Sequence, residues 1–392
     1  MPRAPLLVFS HLRWDFVFQR PQHLISRLAR TRRILYVEEP VASVGRPSLE
    51  IRQVAPGIEV ATPHLDDSGR AFGITQEGTV LSLLRNHLDE SAWPRFAAWL
   101  YTPMAVRVAC ALGAQAIVYD CMDELSAFLG APPEMLNRER ELLKVADAVF
   151  TGGPSLYRAK KPLHPSVHCF PSSVDIEHFS KAASLAEPED QAVLRRPRLG
   201  YFGVIDERLD FEIIDRIAVA HPQWQIILVG PVVKIDASTL PLRPNIHYLG
   251  QRPYRDLPAL VGGWDVGLMP FVLNASTGFI NPTKALEYMA AGRPIVSTPI
   301  HDVAELYGDI VYVGDGPEGF QMACERALIA FDAERERRRA AQQRVLENTS
   351  WDATVTEMDA ILSAIADRER VPATNLAPLF GMHKNVRRRL AG

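Results

Sequence analysis

Short apolar runs of strand length alternate with helical patterns along almost the whole of this chain. Such alternation is typical of βαβ units, in which parallel strands form a sheet with helices on its faces. The chain has 392 residues, more than the roughly 250 to 300 at which a single core stops growing, so we expect two such domains. The predicted strands are 6–10, 33–37, 116–120, 148–151 and 167–170 in the first half, and 198–202, 225–229, 246–249, 266–269, 295–297 and 310–313 in the second.

The segment 180–197 separates the two sets of strands. It is rich in Ala, Glu and Pro and has no strand pattern, which is typical of an interdomain linker. We therefore expect a first Rossmann-like domain at 1–179 and a second at 198–350. A helix at 351–366 is expected to cross back to the first domain, and a basic tail follows at 367–392.

Charge and cysteine content argue against several classes of protein. The formal net charge of −3 gives no reason to expect a nucleic-acid partner. The four cysteines are scattered, and no metal-binding motif such as H-E-x-x-H occurs, so neither a disulfide framework nor a metal site is expected. No apolar run approaches the roughly 18 residues of a membrane span. We expect a cytoplasmic protein, and peripheral contact of the basic tail with the inner membrane surface stays open.

The stretch 281–297 predicts a short helix followed by a buried strand. Asn281 suits the N-cap, Pro282 the first helical position and Gly292 the left-handed position after the last turn. Lys284 is anomalous, because the helix dipole disfavours a cation in the first turn by roughly 0.3 to 1 kcal/mol. Free N–H groups and this lysine form a phosphate site, and Glu287 on the same face can accept hydrogen bonds from sugar hydroxyls. The alternative is an exposed ion pair between Lys284 and Glu287.

The loop after the first predicted strand, 11–21, is unusually polar. Ligands of open parallel sheets bind beyond the carboxyl ends of the strands, so this loop faces the expected site. It lacks the G-x-G-x-x-G pattern of a dinucleotide site. Four of its side chains are candidates for binding an acceptor: His11, Arg13, Asp15 and Arg20. The alternative is a loop that packs Trp14 and Phe16 on the domain.

Carboxylates cluster after the predicted strand 116–120. Asp120, Asp123 and Glu124 repel one another at this strand end unless they are hydrogen-bonded or used. Asp120 and Asp123 can orient or deprotonate an acceptor hydroxyl. The alternative is that Asp123 only caps a following helix.

Glycines end the first three strands of the second half. Gly203 lets the backbone approach a ligand, and Arg208 in the same loop can reach a diphosphate as a forked donor. Gly230 and the loop 250–254, which contains Tyr254, end the next two strands, and the latter loop can hold a nucleobase edge. Ordinary glycine turns remain the alternative at each of these places.

These motifs resemble a known family. The segment 282–294, preceded by 263–270, resembles the C-terminal domain of group 1 glycosyltransferases with the GT-B fold. The N-terminal segments 9–15 and 19–24 resemble a bacterial subset of that family that is sometimes joined to UDP-galactopyranose mutase modules. The resemblance extends to about residue 366 and implies an α/β protein with two Rossmann-like parallel-sheet domains facing each other across a cleft.

The resemblance implies roles for the residues around 281–287. Lys284 would contact the donor diphosphate and Glu287 the nucleotide ribose. Relatives often carry a second glutamate eight residues earlier that approaches the donor sugar, but Phe279 occupies that position here. The donor-binding residues are expected to be Gly203, Arg208, Gly230, Tyr254, Asn281, Thr283, Lys284 and Glu287, and the catalytic residues Asp120, Asp123, Lys284 and Arg208.

The expected activity is transfer of a hexosyl group from a nucleotide diphosphate sugar, with UDP as the favoured nucleotide, to a hydroxyl of a glycan or lipid-linked acceptor. Retention of anomeric configuration is expected, without a metal or other cofactor, because protein cations neutralise the leaving group. Two alternatives stay open, namely a GT-B sugar-nucleotide epimerase and a non-catalytic partner that binds a nucleotide sugar.

Overall fold

The computed structural model describes residues 3–66, 72–73, 75–330 and 332–367. The strands are β1 (Leu6–Ser10), β2 (Ile34–Glu38), β3 (Val41–Ala42), β4 (Ser48–Ala55), β5 (Ile58–Leu65), β6 (Ala97–Leu100), β7 (Ile117–Cys121), β8 (Ala148–Thr151), β9 (Val167–Cys169), β10 (Arg198–Phe202), β11 (Gln225–Val229), β12 (Ile246–Tyr248), β13 (Val266–Met269), β14 (Ile295–Ser297) and β15 (Tyr312–Val313).

The helices are α1 (Arg20–Leu28), α2 (Glu77–Glu90), α3 (Val106–Ala111), α4 (Met135–Val145), α5 (Pro154–Lys160), α6 (Ile176–Ser180), α7 (Glu189–Ala192), α8 (Phe211–Ala220), α9 (Leu257–Gly262), α10 (Thr283–Ala290), α11 (His301–Tyr307), α12 (Gly316–Ile329), α13 (Asp332–Glu347) and α14 (Trp351–Ala366).

The first sheet has the order β3-β5-β2-β1-β6-β7-β8-β9, with β4 paired to β5. Its strands are parallel except for β4, which runs antiparallel to β5. The central strands β1, β2 and β7 are buried along their whole length, as expected of strands covered by helices on both faces. The sequence-based prediction missed β3 to β6. β4 and β5 form a hairpin at the sheet edge, and they lack the intervening helix that marks a βαβ unit.

The second sheet has the order β12-β11-β10-β13-β14-β15 and is parallel throughout. The chain first winds from β10 outward to β12 and then crosses to β13 on the other side of β10. This is the doubly wound Rossmann order, in which ligands bind where the order reverses, beyond the carboxyl ends of β10 and β13. The predicted strands of this half match the observed ones to within a residue or two at each end.

The segment 180–197 is packed closely on the second domain. Gln191 is fully buried there. It donates to Leu260 O at 2.9 Å and accepts from Trp264 Nε1 at 2.8 Å. The chain therefore reaches β10 through a folded connection.

Helix α14 packs on the first domain. Ser350 caps its N-terminus by accepting from Ala353 N at 3.3 Å. Its apolar face, which includes Met358 and Leu362, packs in one cluster with Leu24 of α1. Asp359 on the same helix pairs with Arg32 at 2.7 Å. The basic part of the tail, 368–392, lies outside the described residues.

Candidate active site

A cleft of about 740 Å³ lies between the two domains. The carboxyl ends of both sheets open onto it, so the loops that follow β1, β7, β10, β11 and β12 form much of its surface. The lining residues are 14–20, 22, 122–123, 152 and 172 from the first domain, and 201–204, 208, 229–231, 251–254, 257, 271, 280–284 and 287 from the second.

Lys284 lies in the first turn of α10 and faces this cleft. Its Nζ is 5.4 Å from the centroid of the Tyr201 ring and 5.9 Å from that of Phe202. It makes no ion pair with any residue in the described part of the chain. Burial lowers the pKa of this ammonium, while the nearby Glu287 opposes the shift. A shielded cation that forms no such ion pair at a helix N-terminus is chemically suited to an anionic ligand.

Two glycines bring backbone close to Lys284. Gly203 has φ +134° and Gly230 has φ +150°, which L side chains rarely adopt. A Cβ on Gly203 would lie 2.6 Å from Lys284 Cε, and a Cβ on Gly230 would lie 1.8 Å from Gly203 O. Side chains are therefore excluded where the loops after β10 and β11 meet, and the floor of the cleft is backbone.

Glu287 lies one turn after Lys284 and is 5% exposed. Burial raises its pKa to about 7, although the charge of Lys284 opposes this. Thr283 Oγ1 donates to Glu287 Oε2 at 3.3 Å. The alternative, an exposed ion pair between Lys284 and Glu287, is not found, since both side chains are shielded and line the cleft. The Glu287 carboxylate retains lone pairs for ligand hydroxyl groups.

Arg208 is held by Asp206 of the same loop. Its Nε donates to Asp206 Oδ1 at 3.0 Å and its Nη2 donates to Oδ2 at 2.7 Å. Asp206 is nearly fully buried, so the guanidinium is fixed at the cleft surface. Asp123 of the first domain lies near it in the cleft, where burial raises the Asp123 pKa to about 6 against the opposing charge of Arg208. The cleft thus brings a cation of the second domain near a carboxylate of the first.

Asp120 does not line the cleft. It is fully buried and pairs with Arg20, whose Nη2 lies 3.0 Å from Asp120 Oδ1. The same guanidinium donates to Phe170 O at 2.8 Å. The expectation that Asp120 orients or deprotonates an acceptor is therefore corrected, because this carboxylate is enclosed in an ion pair. Arg20 lines the cleft, but the buried Asp120 carboxylate neutralises its charge.

The remaining first-domain candidates separate into two groups. Asp15 lines the cleft and pairs with Arg52 at 2.8 Å at an exposed position. Arg13 does not line it, because its Nη1 donates to Glu38 Oε2 at 2.9 Å. His11 also lies outside the lining, and burial lowers its pKa to about 4. Direct acceptor contacts by Arg13 and His11 are therefore not supported by this arrangement.

Tyr254 belongs to an aromatic cluster at the cleft. Its ring stacks on Phe18 of the first domain at 4.5 Å and on His178 at 4.4 Å. Gln251 of the same loop donates through Nε2 to Phe16 O, also in the first domain. The loop 250–254 of the second domain therefore contacts the first domain.

Asn281 does not cap α10, whose N-cap residue is Pro282. Its Oδ1 accepts from Ser172 N at 3.0 Å, and its carbonyl accepts from Ser172 Oγ at 2.5 Å. Close by, Asp302 Oδ1 accepts from Ser155 N at 3.1 Å. These bonds form a seam between the domains at one end of the cleft, which we call the Ser172–Asp302 seam.

The sequence analysis missed Ser155, Ser172 and Asp302. Their partners lie more than 100 residues away in the chain, and no local pattern marks such pairs. Within the described ranges, no group of three or more His, Cys, Asp or Glu side chains is arranged to hold a metal ion. None of the described helices has the length and hydropathy needed to span a bilayer.

Two Rossmann-like domains that face each other across a cleft define the GT-B class of α/β proteins. Residues 196–330 match the family model described as Glycosyl transferases group 1. The second domain therefore resembles the group 1 glycosyltransferases, as the sequence motifs led us to expect. The chain is also similar to TuaH of Bacillus subtilis (strain 168), a provisionally named teichuronic acid biosynthesis glycosyltransferase, with 27% identity over 234 residues. This alignment covers 54% of the chain and 58% of TuaH, so the chain spans a little over half the length of this relative.

Solved structures confirm the GT-B fold over most of the chain. Sucrose-phosphate synthase from Thermosynechococcus elongatus aligns with a TM-score of 0.69 and 14% identity, covering 93% of this chain and 99% of that one. A UDP-forming alpha,alpha-trehalose-phosphate synthase from Burkholderia xenovorans, in complex with glucose-6-phosphate, aligns with a TM-score of 0.67 and 15% identity, covering 92% and 100%. At these identities the likeness concerns the fold alone.

Proposed function

We propose that this protein transfers a hexosyl group from a nucleotide diphosphate sugar to a hydroxyl group of a saccharide or lipid-linked acceptor. The observation that carries the proposal is Lys284, a shielded ammonium in the first turn of α10 that forms no ion pair with any other residue the structure describes. In the free protein, both the helix dipole and burial disfavour this positive charge. A diphosphate removes both penalties at once, and Arg208 is close enough to share the same anion.

The charges in the cleft support the proposed reaction of the donor. As the glycosidic bond to the donor breaks, negative charge develops on the leaving diphosphate. Lys284, Arg208 and the free N–H groups of α10 are fixed donors for that charge, and preorganised donors of this kind supply the largest part of many rate enhancements. Because the protein itself provides two cations, we propose that the reaction needs no metal ion or other cofactor.

UDP is the proposed nucleotide. A synthase with a similar fold is described as UDP-forming, and Glu287 is placed one turn from Lys284, where it can accept hydrogen bonds from ribose hydroxyl groups. The name of TuaH favours a sugar polymer of the bacterial envelope as the destination of the hexosyl group. We place the reaction in the cytoplasm, because the scattered cysteine spacing in the sequence suggests no disulfide framework.

Asp123 is the proposed acceptor-side residue. Of the two carboxylates predicted after β7, it alone lines the cleft. We propose that it orients the acceptor hydroxyl in a retaining reaction. In an inverting reaction the same carboxylate would be the general base, and its pKa of about 6 would suit that role at neutral pH. The anomeric configuration of the product, measured by NMR, separates the two mechanisms.

The test begins with calorimetry of the protein against UDP, GDP and ADP. We expect UDP to bind most tightly, and binding of none of the three would refute a nucleotide-sugar enzyme. Incubation with a panel of UDP-hexoses should then release UDP only when an acceptor glycan is added. Interconversion of the UDP-sugars without acceptor would instead identify an epimerase, and binding without any turnover would identify a non-catalytic partner.

A further inference from the structure

Phe128 of the first domain lies against two cations of the second. Arg208 Cζ is 5.5 Å from the centroid of the Phe128 ring, and Lys234 Nζ is 5.4 Å from it. The ring also packs on the apolar core of the first domain, so it is anchored from behind. It therefore joins the two domains at a point where the second domain presents two positive charges.

The two cations belong to one joined platform. Arg208 is in the loop after β10 and Lys234 is in the loop after β11. The loops are zipped together because Ile205 N donates to Pro231 O at 2.9 Å and Val233 N donates to Ile205 O at 3.1 Å. A contact with either cation therefore restrains both loops, including Gly203 and Gly230 at the floor of the cleft.

The backbone of Lys234 is held in an uncommon conformation. Its φ is +63°, in the left-handed region that non-glycine residues rarely adopt. Such a conformation persists only where the surroundings determine it. The lysine side chain reaches Phe128 of the first domain, and its positive charge acts on His11, Glu39 and Asp123 there.

We propose that Phe128 is a positioning residue that fixes Arg208 for the donor diphosphate through this two-cation contact, named here the Phe128 clamp. The inference rests on the proposed function, in which Arg208 binds the diphosphate. The ring attracts the cation electrostatically through its face and leaves the guanidinium N–H groups free. Asp206 already accepts from Nε and Nη2, so a further carboxylate partner would compete with the ligand for Nη1, whereas an aromatic ring does not.

The clamp also sets the distance between the proposed donor-binding and acceptor-binding residues. Phe128 follows Asp123 by five residues in the same loop after β7, so the ring that contacts Arg208 and the carboxylate proposed to orient the acceptor are connected through a short stretch of chain. Fixing the ring on the second-domain platform therefore fixes the acceptor-side carboxylate relative to the donor phosphates.

The experiment compares three variants of the full chain. Phe128→Leu keeps an apolar side chain on the core but removes the ring face, and Phe128→Tyr keeps the ring. Phe72→Leu is the matched control, because Phe72 is buried in the same first-domain core and has no role in the clamp. Hydrogen exchange of the loops 203–209 and 230–234 is measured without ligand, and the UDP dissociation constant is measured by calorimetry.

We expect Phe128→Leu to speed exchange in both loops and to weaken UDP binding by about 2- to 30-fold, the range for losing one cation–π contact. Phe128→Tyr and Phe72→Leu should behave as wild type in both measurements. Unchanged exchange in Phe128→Leu, or equal effects in Phe72→Leu, would overturn the clamp. Faster exchange with unchanged UDP affinity would overturn its positioning role. If wild type binds none of UDP, GDP and ADP, the proposed function fails, while the exchange comparison still decides whether the clamp exists.

Discussion

Replacing Lys284 with methionine should separate ligand binding from folding. Methionine keeps an unbranched stem against the rings of Tyr201 and Phe202 and removes only the ammonium group. In the free protein that ammonium has no counter-ion in the described part of the chain and sits in the first turn of a helix. We therefore expect the variant to fold normally and to bind UDP poorly.

The magnitudes support this separation. Removing the cation relieves an unfavourable dipole interaction of about 0.3 to 1 kcal/mol and loses ring contacts of about 0.5 to 1 kcal/mol. These effects offset each other, so the free energy of unfolding should change by less than about 1 kcal/mol. A hydrogen bond to a charged group contributes about 1.5 to 3 kcal/mol to binding, which corresponds to a roughly 10- to 150-fold weaker dissociation constant for UDP.

The assay pairs urea denaturation without ligand with calorimetry against UDP. Lys181→Met is the matched control, since Lys181 is an exposed lysine whose Nζ lies 3.9 Å from a glutamate, and neither measurement should change. A Lys284→Met protein that loses several kcal/mol of stability but binds UDP as wild type does would refute the reasoning. In that case Lys284 would be a structural residue.

Three other outcomes follow from the site. Burial raises the pKa of Glu287 from an ordinary 4.5 to about 7. At a pH between these two values, Glu287 is therefore protonated in the folded protein and deprotonated in the unfolded chain. Wild type should lose stability relative to Glu287→Gln as the pH rises from about 4.5 to 7, which denaturation at several pH values would measure. Asp120→Asn breaks a buried ion pair and should cost about 3 to 5 kcal/mol in denaturation, whereas Asp123→Asn should change stability by less than about 1 kcal/mol and reduce turnover; equal stability losses would contradict this assignment. Gly203→Ala should cost about 1 to 3 kcal/mol in denaturation, because strain at this φ is of that order, and it should weaken UDP binding in calorimetry, because the added Cβ meets the Lys284 side chain; normal binding would show that the loop does not form the phosphate site.

The parts of this protein that sequence reasoning predicted correctly are local. The strands of the second domain are short apolar runs bounded by turns, and their hydrophobic pattern is enough to locate them. Lys284 and Glu287 are one helical turn apart, so helix geometry alone puts them on the same face. The glycine loops were located for the same reason, since each directly follows a recognisable strand.

The misassigned residues depend on distant partners. The chemistry of Asp120 is decided by Arg20, which is 100 residues away, and an acidic cluster in sequence gives no sign of the arginine that neutralises one of its members. Asn281 has the sequence context of an N-cap, but Ser172 of the other domain takes its side chain. A capping pattern in the sequence considers only hydrogen-bonding partners that are near in the chain. The fold brings distant partners to the same side chain.

The position of Asn281 links the domain seam to the donor site. Lys284 follows it by three positions, and the bonds of Asn281 to Ser172 join the first domain to the chain just before the first turn of α10. At the opposite side of the site, the Phe128 clamp contacts the platform that carries Arg208. Both cations proposed for the diphosphate are therefore adjacent to contacts between the domains. The same short segments carry the interdomain contacts and the two cations. A rotation of one domain that breaks either contact must therefore disturb the binding of the leaving group.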